Sequence, residues 1–319
     1  MDIIVTGAGG FIGTDVIREL KESHSVFAIT RSNPKIIQDG VNYLKADLLT
    51  VDIEDFLNIS KQRKFDVLVH AAGQAHIPQT EESQVLFFKN NVAATVQTLK
   101  LAQRLGIRKF ILLSTVAVLN NDETDFYAAT KKKAEQIVAE FCLNNKMDYC
   151  IIRPVVVYGE NDVKGNVYKL VKQLSLGFFP LFNGGKIIKS MIYVRNLSYL
   201  IRYMLESEDH YHCNEPLIAC DKERYNIKEI CGIIRSELGR KIILFNFPNF
   251  ILNLAIFGLE TLQRIGMLQG TNIASIKKLR INVCFELSKA NKGLIERIPY
   301  SADDGLANTI RWLRENKHL

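Results

Sequence analysis

The chain lacks any cysteine pattern that would hold a metal ion. Its six cysteines follow no metal-ligand spacing, and several lie inside apolar runs; they stand at positions 142, 150, 213, 220, 231 and 284. Reduced, buried thiols are typical of a protein kept in a reducing compartment. We therefore predict no metal site and a cytoplasmic location.

Internal repeats and low-complexity tracts are also absent, and no apolar run is long enough to cross a bilayer. The most apolar stretch, residues 245–267, is interrupted by Pro248, Asn253, Glu260 and Arg264. Two interpretations stay open: a buried helix of a second lobe, or a surface that contacts a polyprenyl tail or the inner face of the membrane. The first strand begins almost at residue 1, so we expect no signal peptide.

The basic residues do not form a nucleic-acid-binding pattern. The formal net charge is +7, but the lysines are scattered and no aromatic-basic motif accompanies them. We therefore predict that nucleic acid is not a partner. A substrate diphosphate or an anionic membrane surface accounts for a mild basic excess equally well.

What the chain does have is a glycine-rich start. A short apolar run, Ile3 to Val5, is followed by three glycines at spacings of three and by a helical pattern to about Lys21. Such glycines allow a tight turn, close approach to a diphosphate and close helix packing, and the helix N-terminus favours an anion. The predicted dinucleotide contacts at this turn are Gly7, Gly10, Phe11, Ile12 and Gly13.

Three further strand ends would border the same dinucleotide. A second strand (25–29) leads to Arg31. An acidic residue at this position would bind the ribose hydroxyl of NAD, whereas an arginine accommodates the 2′-phosphate of NADP. NADP is therefore slightly favoured, and NAD stays open. Asp47 follows a third strand (41–45) and would meet the adenine edge. A fourth strand ends at His70, which we interpret as a packed histidine, and leads into the small residues Ala71, Ala72 and Gly73.

The second informative element is Tyr127-x-x-x-Lys131, preceded by an apolar strand that ends at Ser114 and Thr115. The i,i+4 spacing puts the tyrosine and the lysine on one helix face. We predict that Tyr127 is a general base and that Lys131, together with a nicotinamide cation, lowers its pKa. Thr115 would orient the substrate oxygen, with Ser114 as the alternative. The pair Tyr168/Lys172 has the same spacing but no preceding strand, which favours a helix-surface pair.

With these residues the chain resembles the extended short-chain dehydrogenases/reductases over nearly its whole length. The motifs that carry the resemblance are Thr6–Gly13, Asp47–Leu48, His70–Gly73, Asn90–Val92, Ser114–Thr115, Tyr127/Lys131, Arg153–Pro154 and Val157–Gly159. Within that family, residues 159–173 and 189–196 are similar to bacterial enzymes that epimerise C4 of N-acetylglucosamine linked through diphosphate to undecaprenol. A sister group, reductases of UDP-4-keto-6-deoxy-N-acetylhexosamines, is also similar.

The resemblance implies further roles. Asn91 would support the local backbone, and the helices of Asn91 and Tyr127 would form a homodimer. Three more residues would join the cofactor site: Leu48, Asn90 and Pro154. Asn166 would bind the sugar or the diphosphate of the substrate, and Lys189 would bind the diphosphate. Apart from the resemblance, Arg280 follows the apolar stretch 245–267, and we expect it to face substrate phosphate or lipid headgroups.

The chain also departs from that family in ways that keep the reaction type open. The segment between Thr115 and Tyr127 is about ten residues shorter than usual, Arg31 replaces an acidic residue, and Arg195 stands where an Asp often begins a helix. We expect a 4-epimerase of a diphosphate-linked N-acetylhexosamine in surface polysaccharide biosynthesis. The alternatives are an NADPH-dependent 4-ketoreductase and a non-catalytic dinucleotide-binding regulator.

Alternation of strands and helices predicts an α/β Rossmann fold, a doubly wound parallel sheet, with a smaller discontinuous α/β substrate-binding lobe. We place the dinucleotide-binding domain at residues 1–157, with about 187–225 returning to it. The substrate lobe would comprise residues 158–186 and 226–319.

Overall fold

The computed structural model describes residues 1–52, 54, 56, 58, 63–75, 77–120, 124–206, 216–264, 282 and 284–319. Arg280, Cys213 and the end of the 245–267 stretch lie outside this range. The chain divides into two compact units. The first comprises Met1–Val155, Val194–Ala219 and Leu287–Pro299, and the second comprises Val156–Tyr193, Cys220–Glu286 and Tyr300–Leu319.

Eleven strands are assigned in the described residues: β1 Asp2–Thr6, β2 Ser25–Thr30, β3 Asn42–Lys45, β4 Val67–His70, β5 Lys109–Leu113, β6 Asp148–Pro154, β7 Val156–Tyr158, β8 Phe178–Phe182, β9 Met191–Tyr193, β10 Leu217–Ala219 and β11 Ile243–Phe247. The α-helices with assigned bounds are α1 Phe11–Leu20, α2 Glu81–Phe87, α3 Ala94–Arg104, α4 Phe126–Asn144, α5 Asn166–Leu174, α6 Val194–Glu206, α7 Ile227–Leu238, α8 Asn249–Arg264, α9 Lys289–Ile295 and α10 Ala302–Glu315.

The first unit is built on a seven-stranded parallel sheet in the order β10-β6-β5-β4-β1-β2-β3. Ile3, Ile4 and Val5 are fully buried, as expected for a strand covered on both faces. The chain runs from β1 outward to β3 and then crosses to β4 on the other side of β1. Ligands of such sheets bind beyond the carboxyl ends of the strands at this reversal. The predicted Rossmann fold is confirmed.

The stretch that returns to the first unit is Val194–Ala219, which is shorter than the predicted 187–225. Met191–Tyr193 belongs instead to the second unit, where it pairs with β7 in a two-stranded ladder. Residues 287–299, which we expected in the second lobe, belong to the first unit, where α9 packs near β10. The second unit also contains a parallel β8–β11 pair.

Helix α8 corrects the interpretation of residues 245–267 as a buried helix. Ile256 is buried and packs with Phe182, Phe247 and Leu259. The side chains of Phe250, Leu254 and Phe257 are 70%, 68% and 65% exposed. The small β8–β11 pair covers only one side of the helix, so its other apolar side faces solvent. None of the helices in the described part of the chain has both the length and the apolar character of a membrane span.

Candidate active site

The turn after β1 requires glycine at two positions. Gly7 has φ +72°, and a Cβ on it would lie 2.6 Å from the backbone nitrogen of Ala72. A Cβ on Gly13 would lie 2.2 Å from the carbonyl oxygen of Gly7. The turn thus packs against the end of β4 and against the first turn of α1, with no space for side chains.

The N-terminus of helix α1 has no side-chain cap and no acidic residue to balance the positive end of the helix dipole. Gly10 is its N-cap and supplies no side-chain acceptor, and the first turn contains no acidic residue. The backbone N–H groups of a first helical turn have no acceptor within the helix, so they and the helix dipole favour an anion. These residues fit a dinucleotide diphosphate, which would be held by Gly7, Gly10, Phe11, Ile12 and Gly13.

The residues predicted to border the adenosine half occupy the ends of β2, β3 and the segment after α2. The Arg31 guanidinium donates to Oδ1 of Asn90 at 3.1 Å, and the pair is exposed. Oδ1 of Asp47 accepts from the backbone N–H of Leu49 at 3.0 Å, which shapes the turn after β3. Leu48 packs against the hydrophobic core. The Arg31–Asn90 contact was not evident from the sequence, because 59 positions separate the two residues.

Four further predicted cofactor residues lie at the same edge of the sheet. Ala71, Ala72 and Gly73 directly follow β4, and a Cβ on Gly73 would lie 3.5 Å from Nζ of Lys131. Pro154 ends β6, is buried and stands opposite Ala219 of β10. The small residues therefore let the backbone after β4 approach the lysine of the second motif.

Tyr127 lies in the first turn of α4, which Asp125 caps by accepting from Ala128 N at 3.0 Å. Burial raises the pKa of the Tyr127 phenol to about 12; a hydrogen bond with Thr115 lowers it in part, and the charge of Asp125 raises it. The lowering that we predicted involves Lys131 together with a bound nicotinamide cation and stays a prediction; in the protein alone the pKa of the phenol is raised. Loss of solvent is the dominant effect, so the protein's own groups keep the phenol protonated at neutral pH.

Lys131 is buried one helical turn beyond Tyr127. Its ammonium donates to the carbonyl oxygen of Leu113, the last residue of β5, at 2.6 Å. Burial lowers the pKa of Lys131 to about 8, and the Glu135 carboxylate raises it in part. The structure thus unites the lysine with the strand that carries Ser114 and Thr115.

The two hydroxyls after β5 differ in their surroundings. Thr115 Oγ1 accepts from Ala117 N at 3.2 Å, and Thr115 also shares the hydrogen bond with Tyr127. Ser114 is buried, and among the residues that the structure describes its hydroxyl has no hydrogen-bond partner. Thr115 is accordingly the residue beside the phenol; its predicted role in orienting the substrate oxygen stays a prediction.

Behind the site, His70 is a packed residue, as the sequence suggested. The Thr95 hydroxyl donates its one proton to Asn91 O at 2.6 Å, so it must accept from His70 Nε2 at 3.1 Å. With the ring proton on Nε2, Nδ1 accepts from the Thr6 hydroxyl at 2.8 Å. Burial lowers the pKa of His70 to about 3, with Lys131 acting in the same direction. A neutral imidazole with both nitrogens bonded is not available for proton transfer.

Asn91 supports the turn after β4, in agreement with the role that the resemblance implied. Its Oδ1 accepts from Gln74 N at 2.6 Å, and its Nδ2 lies 3.1 Å from both Gln74 O and Thr130 Oγ1. The residue lies in a π-helical turn, Phe88–Ala93, between α2 and α3. Such turns often occur at functional sites, but nothing in the sequence alone indicated one here.

The second unit carries the remaining predicted substrate residues. Asn166 is exposed in the first position of α5, whose N-cap is Gly165. Lys189 is half-buried, and burial lowers its pKa. The second Tyr-x-x-x-Lys match, Tyr168/Lys172, lies on α5. Tyr168 is partly buried and Lys172 is exposed, which fits a pair on the helix surface.

Comparison with known proteins gives consistent results. The chain is 26% identical to the Escherichia coli O157:H7 N-acetyl-alpha-D-glucosaminyl-diphospho-ditrans,octacis-undecaprenol 4-epimerase over 98% of this chain and 95% of that protein. It is 28% identical to a Vibrio cholerae UDP-glucose 4-epimerase over 62% of this chain and 65% of that one.

Solved structures show the same fold. UDP-glucuronic acid 4-epimerase from Bacillus cereus, in complex with NAD, superposes with a TM-score of 0.74 at 19% identity and covers 99% of both chains. Residues 3–227 match the profile of a family described as the NAD dependent epimerase/dehydratase family. The predicted family is confirmed: this chain belongs to the NAD dependent epimerase/dehydratase family.

Proposed function

We propose that the protein is an NAD(P)-dependent 4-epimerase of a diphosphate-linked N-acetylhexosamine, acting in surface polysaccharide biosynthesis. The observation that carries the proposal is the set Thr115, Tyr127 and Lys131, which one unit places at the sheet edge that also bears the Gly7–Gly13 turn. A hydroxyl donor, a phenol and an ammonium together are what reversible oxidation of an alcohol carbon requires.

In this proposal the bound nicotinamide supplies a hydride acceptor and, when oxidised, a positive charge. Tyr127 takes the proton of the sugar O4 as the C4–H bond breaks, which leaves a 4-keto sugar. Thr115 holds O4, and Lys131 would hold the nicotinamide ribose. After the sugar turns, Tyr127 would return the proton to O4, and the same hydride would return from the bound nicotinamide to the opposite face of C4, so there would be no net oxidation.

The raised pKa of Tyr127 gives the nicotinamide charge a second role. With a pKa of about 12, the phenol alone is a poor base at neutral pH. An adjacent cation favours the phenolate and lowers the pKa. Tyr127 would therefore become an effective base only when oxidised cofactor is bound, which couples proton transfer to hydride transfer.

Transfer of hydride out and back can be tested by isotope labelling. Substrate with deuterium at C4 should give the C4 epimer with the deuterium retained, and no reduced cofactor should be consumed. Loss of the label to solvent, or an absolute need for added NADPH, would contradict the proposal. The matched control is Tyr168→Phe, which should epimerise at the normal rate, whereas Tyr127→Phe should not.

The carrier of the sugar is proposed from the relative and from charge. The Escherichia coli relative acts, by its name, on an undecaprenyl-diphospho sugar, and the half-buried Lys189 provides a positive charge for a diphosphate. A UDP carrier presents the same diphosphate. Turnover of both carriers should be measured in Lys189→Met. If Lys189 contacts the diphosphate, its removal should raise KM for both carriers. If the lysine has only a structural role, KM should stay unchanged.

Arg31 favours a second candidate, an NADPH-dependent 4-ketoreductase of a UDP-4-keto-6-deoxy-N-acetylhexosamine. The exposed guanidinium at the end of β2 suits a 2′-phosphate. We propose that NADP binds slightly better than NAD and that Arg31→Asp reverses this order. Equal affinities for both dinucleotides in the two proteins would remove the argument.

We also propose that a surface of the second unit contacts the cytoplasmic face of a membrane. At the start of the β8–β11 pair, Leu176, Phe178 and Ile243 are 64%, 52% and 60% exposed and lie together, since Ile243 pairs with Phe178. Residues 166–182 and 239–259 contain no Asp or Glu; their basic residues are Lys169, Lys172, Arg240 and Lys241. Exposed apolar side chains with a basic rim suit an anionic lipid surface.

Vesicle flotation tests this surface without any catalysis. The protein should float with vesicles that contain phosphatidylglycerol and much less with pure phosphatidylcholine vesicles. The double variant Phe178→Asp/Ile243→Asp should not float, whereas Leu143→Asp, at an equally exposed apolar position of the first unit, should behave as wild type. Flotation that is absent in the wild type, or unchanged in the double variant, would contradict the proposal.

For the first unit we propose a homodimer formed through α2, the π-helical turn and α4. Val85 and Phe88 are 68% and 55% exposed, and together with Val92 and Phe126 they line a shallow groove. A second copy of the chain would cover this apolar face. Light scattering should give the mass of a dimer, and Val85→Asp/Phe88→Asp should give a monomer; a monomeric wild type would refute the assignment.

A further inference from the structure

A buried acidic residue lies one helical turn beyond the lysine of the active-site motif. Glu135 is 5% exposed, at position i+4 from Lys131 on α4. Its two carboxylate oxygens accept from Nε and Nη2 of Arg153 on β6, at 2.9 and 2.6 Å. A carboxylate held on both oxygens by one guanidinium has a fixed position.

We propose that Glu135, fixed by Arg153, is a positioning residue that keeps Lys131 protonated and thereby sets the alkaline limit of the reaction. The inference rests on the role proposed above for Lys131. An ammonium next to the nicotinamide ribose and the phenol is useful only while it is charged, and burial opposes that charge.

The surroundings of Lys131 make Glu135 the decisive group. On its own helix, Tyr127 lies one turn before Lys131 and Glu135 one turn after it. From β4, the Lys131 charge acts on His70, which is neutral. From β6, Arg153 donates to the Glu135 carboxylate. Among the described residues, the Glu135 charge is the one that raises the pKa of Lys131, against a burial effect that brings it to about 8. Without Glu135, the unpaired Arg153 would act on Lys131 in the same direction as burial.

The titration of Lys131 can be measured without substrate by competitive acylation of its amine. Samples at a series of pH values are pulse-labelled, and labelling of Lys131 is compared by mass spectrometry with that of the exposed neighbour Lys132. In the wild type, labelling should rise with a midpoint near pH 8. In Glu135→Gln the midpoint should fall by about one pH unit or more.

Two variants separate electrostatics from packing. Glu140→Gln makes the same change at an exposed position of the same helix and should leave the midpoint unchanged. Glu135→Gln/Arg153→Met removes both charges, so its midpoint should lie between those of Glu135→Gln and the wild type; it also serves if the single variant does not fold. A wild-type midpoint in Glu135→Gln, or in the double variant where the single variant does not fold, would overturn the inference.

The reaction itself provides an independent reading. In Glu135→Gln the alkaline limb of kcat should move to lower pH by the same amount as the labelling midpoint, while activity at pH 6 stays within about threefold of wild type. A uniform loss of kcat at every pH would instead indicate a structural role and contradict the inference. Because labelling needs no sugar substrate, a failure of the proposed epimerase activity would not affect that result.

Discussion

The glycine-rich turn provides the sharpest structural prediction, because Gly13→Ala adds one methyl group to a position that has no room for it. The new Cβ would lie 2.2 Å from Gly7 O and 2.8 Å from Gly7 C. Both are backbone atoms, so relief requires α1 to move away from the turn. Overpacking of this kind costs about 1–3 kcal/mol, and each 1.4 kcal/mol corresponds to about a tenfold change in affinity.

We expect Gly13→Ala to unfold at lower denaturant concentration and to bind dinucleotide about tenfold to a hundredfold more weakly. The matched control is Gly232→Ala in α7, where an added Cβ meets nothing within 4 Å. That change should stabilise the protein by about 0.5–1 kcal/mol, because alanine loses less backbone entropy in a helix. Calorimetry with NAD and equilibrium denaturation measure both effects. Wild-type affinity and stability in Gly13→Ala would refute the description of the turn.

Three further predictions concern the site and its support. Tyr127→Phe should lower kcat by about a hundredfold to ten-thousandfold while dinucleotide affinity, measured by calorimetry, changes little; near-normal turnover would disprove its role as the base. Asp221→Asn should lower the stability of the second unit, because the Asp221 carboxylate accepts from the Tyr158 hydroxyl at 3.1 Å and from Tyr193 N at 3.0 Å. Limited proteolysis should then cut faster within residues 156–193 and 220–286 only. Unchanged protease resistance would contradict this prediction. His70 has a folded pKa of about 3 against 6.5 when free, so the unfolded chain binds the extra proton as the pH falls. Stability should therefore decrease by about 1.6 kcal/mol from pH 6.5 to 5. His70→Leu should remove that slope, and an equal slope in both proteins would refute the assignment.

The sequence predicted the first unit well because its signals are local. The apolar run at Ile3 to Val5, the glycine spacing and the strand before Ser114 each specify a strand, a turn or a helix within a few residues. Once a parallel sheet is inferred, its topology brings the carboxyl ends of β1, β4 and β5 to one edge. That is why Gly7, Ala72 and Lys131 could be grouped in advance.

What the sequence did not predict depends on contacts between distant positions or on burial. The Arg31–Asn90 and Glu135–Arg153 pairs join different elements, and neither residue type indicates its partner. The raised pKa of Tyr127 in the protein alone was not predicted, because the extent of desolvation depends on packing that a motif does not encode. The choice between a buried helix and an exposed surface for residues 245–267 stayed open for a related reason, since an apolar segment does not reveal how much surface is available to cover it.

The most direct test of the account is an epimerisation assay with no added reductant. Purified protein with NAD is given UDP-N-acetylglucosamine in one reaction and undecaprenyl-diphospho-N-acetylglucosamine in the other, and the C4 epimer is quantified in each. We predict that the epimer forms from the diphosphate-linked lipid sugar, that no reduced cofactor accumulates and that Tyr127→Phe forms none. Absence of epimer from both substrates, with stoichiometric oxidation of NADPH on a 4-keto sugar, would contradict the proposed 4-epimerase.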